Sequence, residues 1–175
     1  AGPLVIACVI LKDPFSPTLH EVRDSKEITE KKRESLFDLV HEESIAIKVI
    51  IVPPREVDER GVHAANLDGM RRAVQGLEVT PAYVLTDGYA IEGLALPSLA
   101  VWKGDQVCTS ISAASIIAKV TRDRIMRELD AHYPEYGFAG HKGYITASHT
   151  KALNTYGACV EHRTSFANIA ALHTR

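Results

Sequence analysis

No apolar run in this 175-residue chain approaches the length of a membrane-crossing helix. The longest, Leu4–Leu11, covers eight residues, against about 20 for a span. It has neither the basic flank nor the small-residue cleavage site of a secretion signal, so it reads as a strand. Cysteine is scarce. Cys8, Cys108 and Cys159 are odd in number and far apart, and no two have C-x-x-C spacing. That argues against a zinc knuckle and a disulfide framework, and for a reduced, cytoplasmic domain. No histidine has an H-x-x-x-H partner, which leaves a zinc hydrolase without support. Repeats, low-complexity tracts and Gly/Ser linkers are missing too, so one domain over residues 1–175 is expected. With 46% apolar and 24% charged residues, the chain has the balance of a folded globular protein and the length to bury a core.

The formal net charge of -2 conceals an asymmetry. Residues 1–100 carry 11 Lys/Arg against 16 Asp/Glu, whereas residues 101–175 carry 9 against 6 and five of the eight histidines. A polyanionic partner would meet the second half. Solvated helix faces explain the charge equally well.

Local patterns give an alternation of strands and helices. Leu4–Leu11 is a continuous β-branched run suited to a strand buried on both faces. Thr29 has the chemistry of an N-cap, and Leu36, Phe37 and Val40 follow at helical spacing, with Lys31, Lys32, Arg33 and Glu34 on the wet side. A second strand over Ile45–Val52 is stopped by Pro53 and Pro54. One helix is expected over Glu56–Gly76, with Val62, Ala65, Met70, Ala73, Val74 and Leu77 inward. Tyr83–Thr86 and Leu99–Trp102 are short strands, and a long helix runs over Ser110–His132 until Pro134. Its first half, rich in Ala, Ser and Ile, suits close packing on a sheet. Two short helices close the tail. The order predicts an α/β sandwich around a mixed sheet.

Three groups of residues could carry chemistry. Asp87 and Asp105 each stand just past a short apolar strand, beside a glycine. If the strands are neighbours, the carboxylates share one edge, where a hard cation such as Mg²⁺ or Mn²⁺ would relieve their repulsion. Asp-Gly and Gly-Asp are also ordinary turn formers. The segment Tyr136–Tyr144 interleaves aromatics with His141 and Lys142 on a glycine-bearing loop, which suits stacking on sugars or bases and pairing with phosphate. Packing of its rings on the core is the competing reading. Asp24-Ser25-Lys26, before the first helix, places a hydroxyl and an ammonium where an anion could bind. Lys119, Arg122, Arg124 and Arg127 line the long helix, but the intervening Asp123 and Glu128 favour a solvated face.

Taken in order, these segments become specific. AGPLVIACVIL, DSKEITEKKRESL, YVLTDG, AVWKGD, SISAASIIAKVTRD, YGFAGHKGY and EHRTSF together resemble bacterial ribonuclease HII, the type 2 ribonuclease H, from end to end. The resemblance implies a ribonuclease H-like α/β fold: a mixed β-sheet flanked by helices, with a helical C-terminal segment over residues 133–175. It implies an endonuclease that hydrolyses RNA in RNA–DNA hybrids and cuts 5′ of ribonucleotides embedded in duplex DNA, leaving 5′-phosphate and 3′-OH. Asp87 and Asp105 match two of four acids holding two divalent ions, Mg²⁺ or Mn²⁺. Tyr144 matches the tyrosine that stacks on the junction sugar. Ser25 and Lys26 match residues near the substrate backbone, and His141 and Lys142 share the tyrosine's loop. A monomer without membrane contact is expected.

One departure matters. The family's other two acids, and the Gly-Arg-Gly that reads the ribose 2′-OH, lie in an Asp-Glu-Ala-Gly-Arg-Gly motif that would precede Ala1. The expectation is a natural chain extended upstream, with the 175-residue form cutting little or nothing. A catalytically incomplete hybrid-binding module is the alternative. A phosphatase with Asp87 as nucleophile would need a D-x-D motif, which is missing.

Overall fold

The computed structural model describes residues 1–24 and 29–172. Four strands and eight α-helices run along them: β1 (Leu4–Leu11), α1 (Glu30–Glu42), β2 (Ser44–Val52), α2 (Pro54–Arg60), α3 (Val62–Gln75), β3 (Val84–Asp87), β4 (Ser98–Val101), α4 (Gly104–Val107), α5 (Thr109–His132), α6 (Phe138–His141), α7 (Ala147–Tyr156) and α8 (Ala167–Ala170). A 3-10 helix over Pro17–Asp24 precedes α1. Among the described residues no helix is long and apolar enough to cross a membrane.

Thr29 caps α1, its hydroxyl accepting from the Lys32 N–H at 3.3 Å. This satisfies one of the amides that a helix start leaves open. Val52 ends β2, and Pro54 takes the first turn of α2, where a missing N–H costs nothing. The single helix expected over Glu56–Gly76 is two. Gly61 stands between them at φ +79°, a conformation that L side chains rarely adopt. The break turns Val62 outward at 45% exposure, while Ala65 and Ala73 stay buried. Trp102 lies beyond β4 and is 80% exposed.

β1 pairs with β2, and β3 pairs in parallel with β4. The chain divides into two compact units: Val5–Ile50 with Leu67–Val120, and Ala1–Leu4 with Ile51–Asn66 and Thr121–Arg175. The core of the first unit joins Leu11, Leu19, Val22, Leu36 and Val40 to Ala113, Ile116, Ile117 and Val120 of α5. These four residues recur at helical spacing along one side of the Ala/Ile-rich half of α5, as close packing there requires. The core of the second unit joins Met126, Tyr136, Phe138, Ala152, Leu153 and Ile169. There the Asp58 carboxylate accepts from the backbone N–H and hydroxyl of both Thr164 (2.6 and 2.8 Å) and Ser165 (3.0 and 2.5 Å). Burial raises the pKa of Asp58, but these bonds outweigh it and hold the group below the usual carboxylate range.

Candidate functional site

Asp87 is the last residue of β3, opposite Val101 at the end of β4. Parallel pairing makes both strands leave the sheet at one end, the position where α/β sheets bind ligands. Past β4 the chain turns through Lys103, in the left-handed region at φ +51°, into α4. The Gly104 N–H then donates to Asp87 Oδ1 at 2.8 Å. One aspartate is therefore bonded to the residue adjoining the other. A Cβ on Gly104 would stand 2.4 Å from Ile111 Cδ1, so the approach of α4 to α5 favours glycine there.

Asp105 lies in the first turn of α4 and is 5% exposed, whereas Asp87 is exposed. The hydroxyl of Ser112, a fully buried residue of α5, donates to the Asp105 carbonyl. α4 also packs on β3 and on the 3-10 helix 17–24, whose last residue is Asp24. Ser25 and Lys26 lie outside the described residues. Two carboxylates give a divalent ion hard oxygen donors, though fewer than the roughly six that Mg²⁺ takes. Among the described residues no group of three or more His, Cys, Asp or Glu gathers to complete a shell. Asp87 and Asp105 have the donor chemistry for part of such a site, which would still need water, phosphate or further carboxylates.

The aromatic loop resolves into two kinds of residue. Tyr136 and Phe138 are 5% and 0% exposed and stack at 5.3 Å between ring centroids, so for these two the packing alternative holds. Tyr144 is 58% exposed, with the Arg122 guanidinium carbon 5.5 Å from its ring centroid. Both nitrogens of His141 are engaged within the loop. Nδ1 accepts from the Gly143 N–H at 3.1 Å, which leaves Nε2 to donate to the Tyr136 carbonyl at 2.8 Å. Lys142 Nζ donates to the Ala139 carbonyl.

Several residues escaped the sequence reading. Arg122 is not on a solvated face: it donates to the carbonyls of Pro3 (3.1 Å), Lys142 (2.8 Å) and Ala1 (2.8 Å). Burial lowers its pKa. Arg163 donates to Gly2 O at 3.0 Å. His149 and His162, scattered in sequence, bond to each other at 3.0 Å. Only Ser112 left a local signal, a hydroxyl within an apolar, small-residue helix face.

A parallel strand pair ends at an aspartate that is bonded through its side chain to the helix carrying a second, and comparison with solved structures places this arrangement in a ribonuclease H-like fold. The structure is similar to ribonuclease H2 from Pyrococcus horikoshii OT3, with TM-score 0.83 and 27% identity, covering 99% of this chain and 90% of that one. The family model for ribonuclease HII matches residues 1–169, and the chain belongs to that family. Ribonuclease HII of Mycolicibacterium smegmatis is 52% identical over 169 residues, 97% of this chain, and that of Parafrankia is 53% identical over 172 residues, 98% of it. The chain spans 62% and 72% of those two relatives.

Proposed function

We propose that the Asp87–Asp105 edge is the metal-holding part of an endoribonuclease acting on RNA–DNA hybrids and 5′ of single ribonucleotides in duplex DNA, with 5′-phosphate and 3′-OH as products. The observation that carries this reading is the bond from Gly104 N–H to Asp87 Oδ1, which ties the aspartate at the end of β3 to the residue preceding Asp105. Membership of the ribonuclease HII family supports it. Divalent ions, Mg²⁺ or Mn²⁺, would supply Lewis-acid stabilisation of the phosphate and an acidified water.

The chain's own contribution is position. Gly104 orients one carboxylate, and Ser112 holds the backbone of the other, so little has to reorganise when substrate arrives. Hydrolysis by this route needs no covalent nucleophile. Tyr144 stacks on a sugar at the RNA–DNA junction, with Lys142 and His141 on its loop, while Ser25 and Lys26 approach the substrate backbone. RNA differs from DNA there by its 2′-OH, so recognition must reach that group. The reading includes a single, monomeric, cytoplasmic domain whose residues 133–175 are a helical extension.

Cleavage of a duplex containing one ribonucleotide, in Mn²⁺, tests it. The assay compares the 175-residue chain with a form extended upstream to include the Asp-Glu-Ala-Gly-Arg-Gly motif. Metal-dependent cutting by the extended form is expected. Binding by both forms with cutting by neither would establish the second reading, a hybrid-binding module. That reading is favoured by the lack of a third ligand among the described residues.

A further inference from the structure

His149 and His162 are each 2% exposed and meet Nε2 to Nε2 at 3.0 Å. Only one of two nitrogens in such a contact can carry the shared proton, and the neighbours decide which. The Cys159 N–H donates to His162 Nδ1 at 3.0 Å, so that nitrogen is unprotonated. Its 3.3 Å approach to the Cys159 carbonyl is the longer and secondary contact. His162, when neutral, then carries its proton on Nε2 and donates to His149 Nε2. His149 in turn carries its proton on Nδ1 and donates to the Tyr144 carbonyl at 2.9 Å.

A directed chain results: Cys159 N–H to His162, His162 to His149, His149 to Tyr144. It exists only while both rings are neutral. A proton added at His149 Nε2 would face the N–H of His162, and one added at His162 Nδ1 would face the N–H of Cys159. The titratable groups around the pair are the His141 ring, stacked on His149 at 4.3 Å, the Tyr136 ring, 4.9 Å from His162, the Cys159 thiol at 3.2 Å and the Ala1 amine. Burial, then repulsion from His149 and the amine, lowers His162 to about 4, and burial lowers His149.

We propose that the neutral His149–His162 pair is a positioning device for Tyr144: it holds the carbonyl of the residue whose exposed ring lies against Arg122, and so sets affinity for the RNA–DNA junction. This rests on the reading of Tyr144 as a nucleic-acid contact. Neither histidine touches substrate in this role.

The test measures binding at pH 7, without divalent metal, of a duplex containing one ribonucleotide. It uses the 175-residue chain and its Tyr144→Ala, His149→Leu and His149→Asn variants, and the Tyr144→Ala/His149→Leu double variant. Tyr144→Ala is expected to weaken binding about 10-fold, the scale of one lost stacking contact. His149→Leu should match it, the double variant should lose no more, and His149→Asn, whose amide N–H replaces Nδ1–H, should recover most of the affinity. Unchanged binding by Tyr144→Ala overturns the reading of Tyr144 and the inference with it. A loss with Tyr144→Ala but none with a folded His149→Leu overturns the positioning role alone. Imidazole ¹⁵N spectra of the wild type need no folded variant. At pH 7 they should show His149 as a neutral Nδ1–H tautomer and His162 as a neutral Nε2–H tautomer, and Nε2–H tautomers at both would overturn the chain.

Discussion

The end of the β3–β4 pair and the core beneath the Tyr144 loop use polar groups differently: at the first a backbone amide holds a side-chain carboxylate, whereas at the second most donors are basic side chains holding the backbone. At the strand end, oxygen acceptors are placed by local donors: the Gly104 amide holds Asp87, and the Ser112 hydroxyl holds the backbone of Asp105. Beneath the loop the donors belong to side chains, and backbone carbonyls receive them. Arg122, Arg163, His141, His149 and Lys142 all donate to main-chain oxygens. Arg122, His141 and Lys142, which look like phosphate contacts in the sequence, here also staple the protein's own backbone. A positive stretch of sequence therefore measures the donors available, and the structure determines how many face a partner.

Removing a charge at the strand end gives the largest expected effect. Asp105→Asn, in a form extended upstream as above, should lower the metal-dependent cleavage rate by about 10²-fold or more while leaving the thermal transition in place. Near-normal turnover would take Asp105 out of the site. Asp87→Asn refines the result, because an amide oxygen can still accept from Gly104. A loss of rate with an intact fold would then report charge rather than position.

The staples are tested by Arg122→Lys. A single ammonium cannot span carbonyls of Ala1, Pro3 and Lys142 as a guanidinium does, and buried acceptors left unbonded cost about 1–3 kcal/mol. Denaturant or thermal unfolding should show a loss of that size, and an unchanged midpoint would mean that the carbonyls find other partners.

Acid should separate the regions next. The unfolded chain protonates His162 as pH falls through about 6.5, but the folded chain does not until about 4. The unfolded state thus binds more protons in this window, and stability falls with pH across it. The contribution is complete above about 6.5, and its loss is on the order of 1–3 kcal/mol. His162→Gln should flatten the slope of stability against pH between these limits, and a slope that persists would assign it to other groups.

Tyr144→Ala carries the smallest stability change expected, within about 0.5 kcal/mol for an exposed ring. Under the proposed function, its expected effect is weaker discrimination between a lone ribonucleotide and plain DNA. Equal losses on all substrates, with a lowered melting temperature, would give the ring a packing role.

Much of this was legible in the chain. β1 coincides with the β-branched run Leu4–Leu11, Thr29 caps α1, and β3 delivers Asp87 where the Asp-Gly turn placed it. Propensity, capping and turn chemistry act over a few residues, so a short window contains their causes. The division at Gly61 was written there too, as a glycine whose positive φ a helical periodicity count overlooks. The inward turn of Arg122 and the pairing of His149 with His162 left no comparable trace.

The sequence alone determined most of the elements, their order, and aspartates at or soon after the ends of two short strands, because each follows from neighbours along the chain. The tertiary structure alone decided which charges and imidazoles serve the protein's own backbone. Arg122 meets the carbonyl of Pro3, 119 residues away, and Arg163 meets that of Gly2, 161 residues away. Partners that distant are selected by the packing of the whole unit, where a buried carbonyl must find a donor wherever the fold supplies one.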